Sequence, residues 1–211
     1  EILELARREA IMVDVGKTGF GPAASQDDIN AHMVQHANDG HPVVRLKSGD
    51  PTVFGRLDEE IDALDEAQIT WRIVPGITAS SAAVANIGQS LTQRGRNSSV
   101  RFLTGHDMEG FADHDWAALA RSGEVAAVYM GKRAARFVQG RLLMHDADPA
   151  TPITIVENVS RTEQRVVSTT LAMFASDLDA AELNGPALTL YGLAPRQAGA
   201  HMQTLIQDIA L

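Results

Sequence analysis

The sequence predicts an α/β protein built from two α/β domains of similar size. Three observations lead there. From residue 10 onward, short apolar runs alternate with helical patterns, the signature of βα units and a largely parallel sheet. A chain of 211 residues is long enough for one large domain or two small ones. A polar stretch, TQRGRNSS at 92–99, interrupts the alternation near the midpoint. The expected division is 1–96 and 97–211.

The elements follow in order. EILELARRE at the start is amphipathic, with Ile2, Leu5 and Ala6 on one side, and reads as the interior of a domain. Residues 11–15 form a short apolar strand. Ser25 with Asp28 three residues later reads as a capping box, opening a helix with Ile29, Met33 and Ala37 on one face; Gly40 stops it. Residues 42–46 make the next strand, a loop at 48–56 follows, and a helix carries Ile61 and Leu64. A strand at 71–74 ends in Pro75-Gly76, and a helix of small residues starts at Ala79. Strands are then expected at 100–104, 125–130, 152–157 and 186–191, with a hairpin strand at 164–168 and helices near 115–121 and 134–144. A last helix from Ala198 buries Met202, Leu205, Ile206 and Ile209.

Composition excludes several roles. Lys and Arg number 18 against 27 Asp and Glu, a net charge of −9, so neither nucleic acid nor an anionic membrane is an expected partner. Aromatics, at 5%, are too few for a base-stacking platform. No apolar run reaches the roughly 18–20 residues of a membrane span. With no cysteine there are no disulfides or thiolate metal sites, which fits a reducing compartment and a cytoplasmic protein. The seven His have no HExxH or comparable spacing, so no metal is expected. GxGxxG, GxxxxGK[ST] and GxSxG are absent.

Three stretches carry possible chemistry. In VVRLKSGDPTVFGR (43–56) a strand ends at Ser48-Gly49-Asp50-Pro51, and ligands of open α/β sheets collect at the carboxyl ends of strands. Gly49 permits close backbone approach, and Asp50 can accept from a hydroxyl or amine. An ordinary βα turn uses the same residues. In VPGITASSAA (74–83) a helix N-terminus offers free N–H groups to an anion, although tight packing alone also selects small residues. In VAAVYMGKR (125–133), Met130 ends a strand, where a Met is more often core filler.

In this order, VVRLKSGDPTVFGR, VPGITASSAA, LTQRGRNSSVRFLTGH (91–106), YMGK and IVEN resemble the uroporphyrinogen-III C-methyltransferases of the tetrapyrrole methylase family. The same module forms the C-terminal part of sirohaem synthases. The resemblance covers nearly the whole chain. It implies a homodimeric two-domain enzyme holding S-adenosylmethionine between its domains, and two methyl transfers to uroporphyrinogen III, giving precorrin-2 for sirohaem or cobalamin. Carried over, Ser48, Gly49, Asp50, Val53, Thr78, Ala79, Met130 and Val159 bind the cofactor. The resemblance likewise implies that Lys17 is a catalytic proton donor.

An acidic protein must gather basic side chains locally for a substrate with eight carboxylates. Arg45, Lys47, Arg56, Arg94, Arg101, Lys132 and Arg133 lie in or beside the resembling segments, with Arg94 the first choice. The chain departs from the family at GGDP, which is SGDP here. The GRGGEE-like turn is GRLDEE, THR is TQR, and ENGT is ENVS. The family's first strand, its Gly-Pro-rich loop and an acid/base Asp are expected before Glu1. Two other readings stay open: a related methylase acting on a later precorrin, and a degenerate, non-catalytic cofactor-binding remnant.

Overall fold

The computed structural model describes residues 2–16 and 24–196, and the chain divides into two units, Glu1–Pro75 and Gly76–Leu211. Lys17 and the expected C-terminal helix lie outside the described residues.

The first unit contains a 3₁₀ turn at Ile2–Leu5 and two α-helices, α1 (Gln26–Asn38) and α2 (Leu57–Glu66). The capping box forms as the sequence predicts: Ser25 Oγ accepts from the Asp28 N–H at 3.1 Å, and Asp28 Oδ2 accepts from the Ser25 N–H at 3.1 Å. Ile29 and Met33 are the buried residues of α1. Residues 11–15, 42–46 and 71–74, expected as strands, join no ladder among the described residues. Their apolar side chains are largely exposed, Val44 at 87% and Val74 at 68%. An apolar run gives a segment its preference for a strand, but pairing needs a neighbour for the backbone groups. Leu5 and Ala6, two of the residues expected on the apolar side of the opening segment, are exposed too.

The second unit holds the one sheet seen among the described residues: β1 (Arg101–Thr104), β2 (Ala126–Tyr129), β3 (Pro152–Glu157), β4 (Arg165–Thr170) and β5 (Ala187–Tyr191). Their spatial order is β1-β2-β5-β3-β4. Only β1 and β2 are parallel, because β5 enters between β2 and β3 antiparallel to both, and β3 and β4 form a hairpin. The class is α/β as expected; the largely parallel sheet is not.

Both faces of the sheet are covered, which is why β2, β3 and β5 read as unbroken apolar runs. On one face Ala126, Ile153, Ile155 and Tyr191 pack with Trp116 and Leu119 of α4 (Trp116–Leu119), Val138 and Leu142 of α5 (Ala135–Met144), and Phe174 and Leu178 of α6 (Phe174–Ala180). On the other, Val125, Ala127, Val156, Leu188 and Leu190 meet Ala83 and Val84 of α3 (Ala79–Asn86). Residues 76–96, read from sequence as the end of the first domain, thus belong to the second unit, since α3 covers its sheet.

Candidate functional site

Within the first unit, the 48–56 loop is folded tightly by its own residues. Asp50 Oδ1 accepts from the Thr52 N–H at 2.8 Å and from Thr52 Oγ1 at 2.6 Å, and the Val53 N–H reaches Asp50 O at 3.2 Å. This is an Asx-type turn, so part of the Asp50 carboxylate holds the loop itself. Phe54 (φ 51°) and Arg56 (φ 54°) sit in the left-handed region. Gly55 cannot be replaced without movement, because a Cβ there would lie 2.3 Å from Pro51 O. Ser48 and Gly49 are exposed, while Asp50 and Val53 are half-buried.

In the second unit the topology brings strand ends together. β1 runs parallel to β2, and both β2 and β3 run antiparallel to β5, so the carboxyl ends of β1, β2 and β3 share one edge of the sheet. Met130 follows β2 at φ 52° and is 52% exposed; Asn158 follows β3, also at φ 52°. The Tyr129 hydroxyl lies 2.5 Å from Thr78 Oγ1 and accepts from the Ser80 N–H at 3.1 Å, tying the start of α3 to the end of β2. Ala79, Tyr129 and Val159 pack against the same apolar cluster. Thr78, Ala79, Met130 and Val159 are thereby gathered at one sheet edge.

Two residues there were quoted within the sequence motifs but given no part: Tyr129 and His106. His106 Nδ1 is 3.2 Å from Met130 O, and its ring meets Phe111 edge-on with centroids 5.0 Å apart. The Gly105 N–H donates to Tyr129 O at 2.7 Å, and a Cβ on Gly105 would sit 2.7 Å from Met130 O. The backbone around Met130 is therefore packed from the β1 side. The tyrosine in YMG and the histidine in TGH were the only signals in the sequence.

Arg94 sits exposed at the tip of a locked turn. Arg96 Nη2 donates to Ser90 O at 2.7 Å, Asn97 Nδ2 to Leu91 O at 2.9 Å and to Ser99 O at 2.7 Å, and Asn97 Oδ1 accepts from the Gln93 N–H at 3.1 Å. Of the seven cations singled out from the sequence, five are already engaged. Arg45 and Lys47 bind Glu60, Arg56 binds Glu59, Arg101 faces Glu124 at 3.4 Å, and Lys132 donates to Leu183 O. Arg94 and Arg133 have no ion pair or hydrogen bond among the described residues, and both are exposed. The Glu59 carboxyl is held below the ordinary range by its hydrogen bond from Arg56. Among the described residues no group of His, Asp and Glu could hold a metal ion, and no helix is long and apolar enough to cross a membrane.

A mixed sheet, with the carboxyl ends of β1, β2 and β3 at one edge, is common to this chain and the family it matches. The chain belongs to the tetrapyrrole (corrin/porphyrin) methylases, whose family profile matches residues 1–175. It is similar to the siroheme synthase of Edwardsiella ictaluri, 42% identical over 192 residues that make up 91% of this chain and 41% of that protein. The siroheme synthase of Acinetobacter baylyi is 41% identical over 90% of this chain and 42% of its own length. The chain thus spans about two fifths of the length of these curated relatives. Among solved structures, the uroporphyrin-III C-methyl transferase of Thermus thermophilus, complexed with S-adenyl homocysteine, aligns with a TM-score of 0.67 and 33% identity over 79% of this chain and 73% of that one. A cobalt precorrin-4 methyltransferase has a TM-score of 0.72 over 80% of this chain and 71% of its own, at 20% identity, a likeness of fold alone.

Proposed function

We propose that this chain carries S-adenosylmethionine-dependent C-methylation of uroporphyrinogen III to precorrin-2, by two methyl transfers. The observation that supports this most is the gathering of Thr78, Ala79, Met130 and Val159 at one sheet edge, in a chain 33% identical to a methyltransferase solved with S-adenyl homocysteine. The donor set suits that ligand. Exposed Met130 and half-buried Val159 offer apolar contact to a purine ring. In the first unit, Ser48, Gly49, Asp50 and Val53 offer a hydroxyl, backbone groups and a carboxylate to a ribose and an ammonium. When bound, S-adenosylmethionine supplies a methyl group already activated as a sulfonium, so no covalent nucleophile is required of the protein.

The chain's own residues then have the tasks of orientation and proton management. Arg94, without an ion pair or hydrogen bond among the described residues and carried on a hydrogen-bonded turn, is assigned to a substrate carboxylate, which its guanidinium fork matches. Lys17 is assigned to the proton lost from the methylated ring, on the family resemblance alone. A homodimer in the cytoplasm goes with this reading, and light scattering tests the dimer. The deciding experiment is calorimetry with S-adenosylhomocysteine, followed by product mass from uroporphyrinogen III. Binding and the addition of two methyl groups are expected. A single methyl, or none despite binding, refutes the assigned reaction, and absence of binding refutes the cofactor site.

A further inference from the structure

The first unit contains a buried carboxylate to which the proposed reaction gives no task. Glu60, on α2, is 3% exposed. Its Oε1 accepts from Arg45 Nε at 3.0 Å and from Gln26 Nε2 at 3.4 Å, and its Oε2 accepts from Lys47 Nζ at 2.6 Å. A carboxylate taken out of water needs such partners to remain charged. The sequence around it, Leu57-Asp58-Glu59-Glu60, reads as a solvated acidic helix start, and Asp58 and Glu59 are indeed exposed.

What distinguishes this cluster from a simple fold anchor is where Lys47 reaches. It immediately precedes Ser48, and its Nζ also donates to the carbonyl of Gly55. One ammonium therefore joins the entrance of the 48–55 loop to its exit, and Glu60 holds that ammonium from the helix that follows. The loop so closed contains Phe54 in the left-handed region and Gly55 pressed against Pro51, with left-handed Arg56 directly after it. Backbone of this kind persists only where the surroundings over-determine it. Within the loop, Asp50 adds local bonds to Thr52 and Val53.

We propose that Glu60 is a positioning residue: through Lys47 it clips the 48–55 loop into the shape in which Ser48, Gly49, Asp50 and Val53 meet the cofactor. This rests on the reading of those four residues as part of the S-adenosylmethionine site. Three variants of the chain test it: Glu60→Gln, Lys47→Met and Asp50→Ala. Each is measured by hydrogen exchange of the amides at 52–56 and by calorimetry with S-adenosylhomocysteine. Glu60→Gln keeps the shape of the side chain and loses its charge, and Lys47→Met removes the clip from the other side. Both are expected to speed exchange at 52–56 while the amides of α1 stay protected, and to weaken S-adenosylhomocysteine about tenfold, the equivalent of one strong hydrogen bond. Lys47→Arg, which keeps the charge and the donors, should recover most of the affinity. Unchanged loop exchange in both variants overturns the proposal, as does faster exchange spread through α1, which marks a fold anchor. It is also overturned if the loop loosens and Asp50→Ala weakens binding while Glu60→Gln binds normally. If Glu60→Gln loosens the loop but neither it nor Asp50→Ala alters affinity, the clip stands and the cofactor reading of the loop is what fails.

Discussion

Replacing Tyr129 by Phe removes one oxygen atom and leaves the ring in place against Phe102, whose centroid is 6.0 Å away, and against the apolar cluster under α3. The lost oxygen bonds Thr78 Oγ1 at 2.5 Å and the Ser80 N–H at 3.1 Å. Ser80 is wholly buried, so its amide is left without a partner, while the hydroxyl of half-buried Thr78 can turn toward water. Two such bonds, one of them costly to orphan, amount to about 1–3 kcal/mol. For a chain of this size that is a fall of roughly 2–10 °C in Tm. The assay is thermal unfolding of wild type, Tyr129→Phe, Thr78→Val and the double variant, read by circular dichroism. If the hydroxyl pair carries the energy, the double variant should cost at least about 0.5 kcal/mol less than the sum of the two single ones. A Tm for Tyr129→Phe within about 1 °C of wild type, or strict additivity, refutes the claim that this hydroxyl ties α3 to β2.

Arg94→Ala should leave Tm nearly unchanged, because Arg94 is exposed and has no partner among the described residues, yet lower kcat/KM for the tetrapyrrole about 10- to 150-fold with S-adenosylhomocysteine binding intact; normal kinetics would remove it from the substrate site. Arg96→Ala should do the opposite first, lowering Tm through loss of the bonds to Ser90 O and Leu91 O, and a melting curve decides this. Lys17→Met should lose about 10²–10⁴-fold in turnover with the cofactor still bound, and a variant turning over normally removes the catalytic role of Lys17. The Asp113 carboxyl is held below the usual range chiefly by the Trp116 indole N–H at 2.6 Å and then by Arg141 at 3.1 Å. Its stabilising contribution is full above the unfolded-state value of about 3.9 and is lost as pH falls through the lower folded one. Asp113→Asn should therefore flatten the acid limb of a stability–pH curve below about pH 4, and an unaltered limb counts against the contact.

The sequence alone determined what closes within a few residues. The Ser25 and Asp28 cap, the starts of α3 and α5, and the positions of all five strands of the second unit are set by side chains next to their own backbone or by runs of apolar residues. α6 escaped notice because FASDLDA is short and weakly patterned. The motif order also singled out the 48–56 loop, the start of α3 and the turn that carries Arg94.

Partnership across distance was settled by tertiary structure. Nothing in an apolar run says that β5 enters between β2 and β3, that 11–15, 42–46 and 71–74 join no ladder among the described residues, or that α3 covers the second unit's sheet. The same holds for single groups. Tyr129 finds Thr78 across 51 positions, and Glu60 is buried by Arg45 and Lys47 although Asp58 and Glu59 just before it are exposed acids. Hydrogen bonds and ion pairs act over a few ångströms, so their partners are chosen by whichever segments the packed core brings within reach, and spacing along the chain carries no record of that choice.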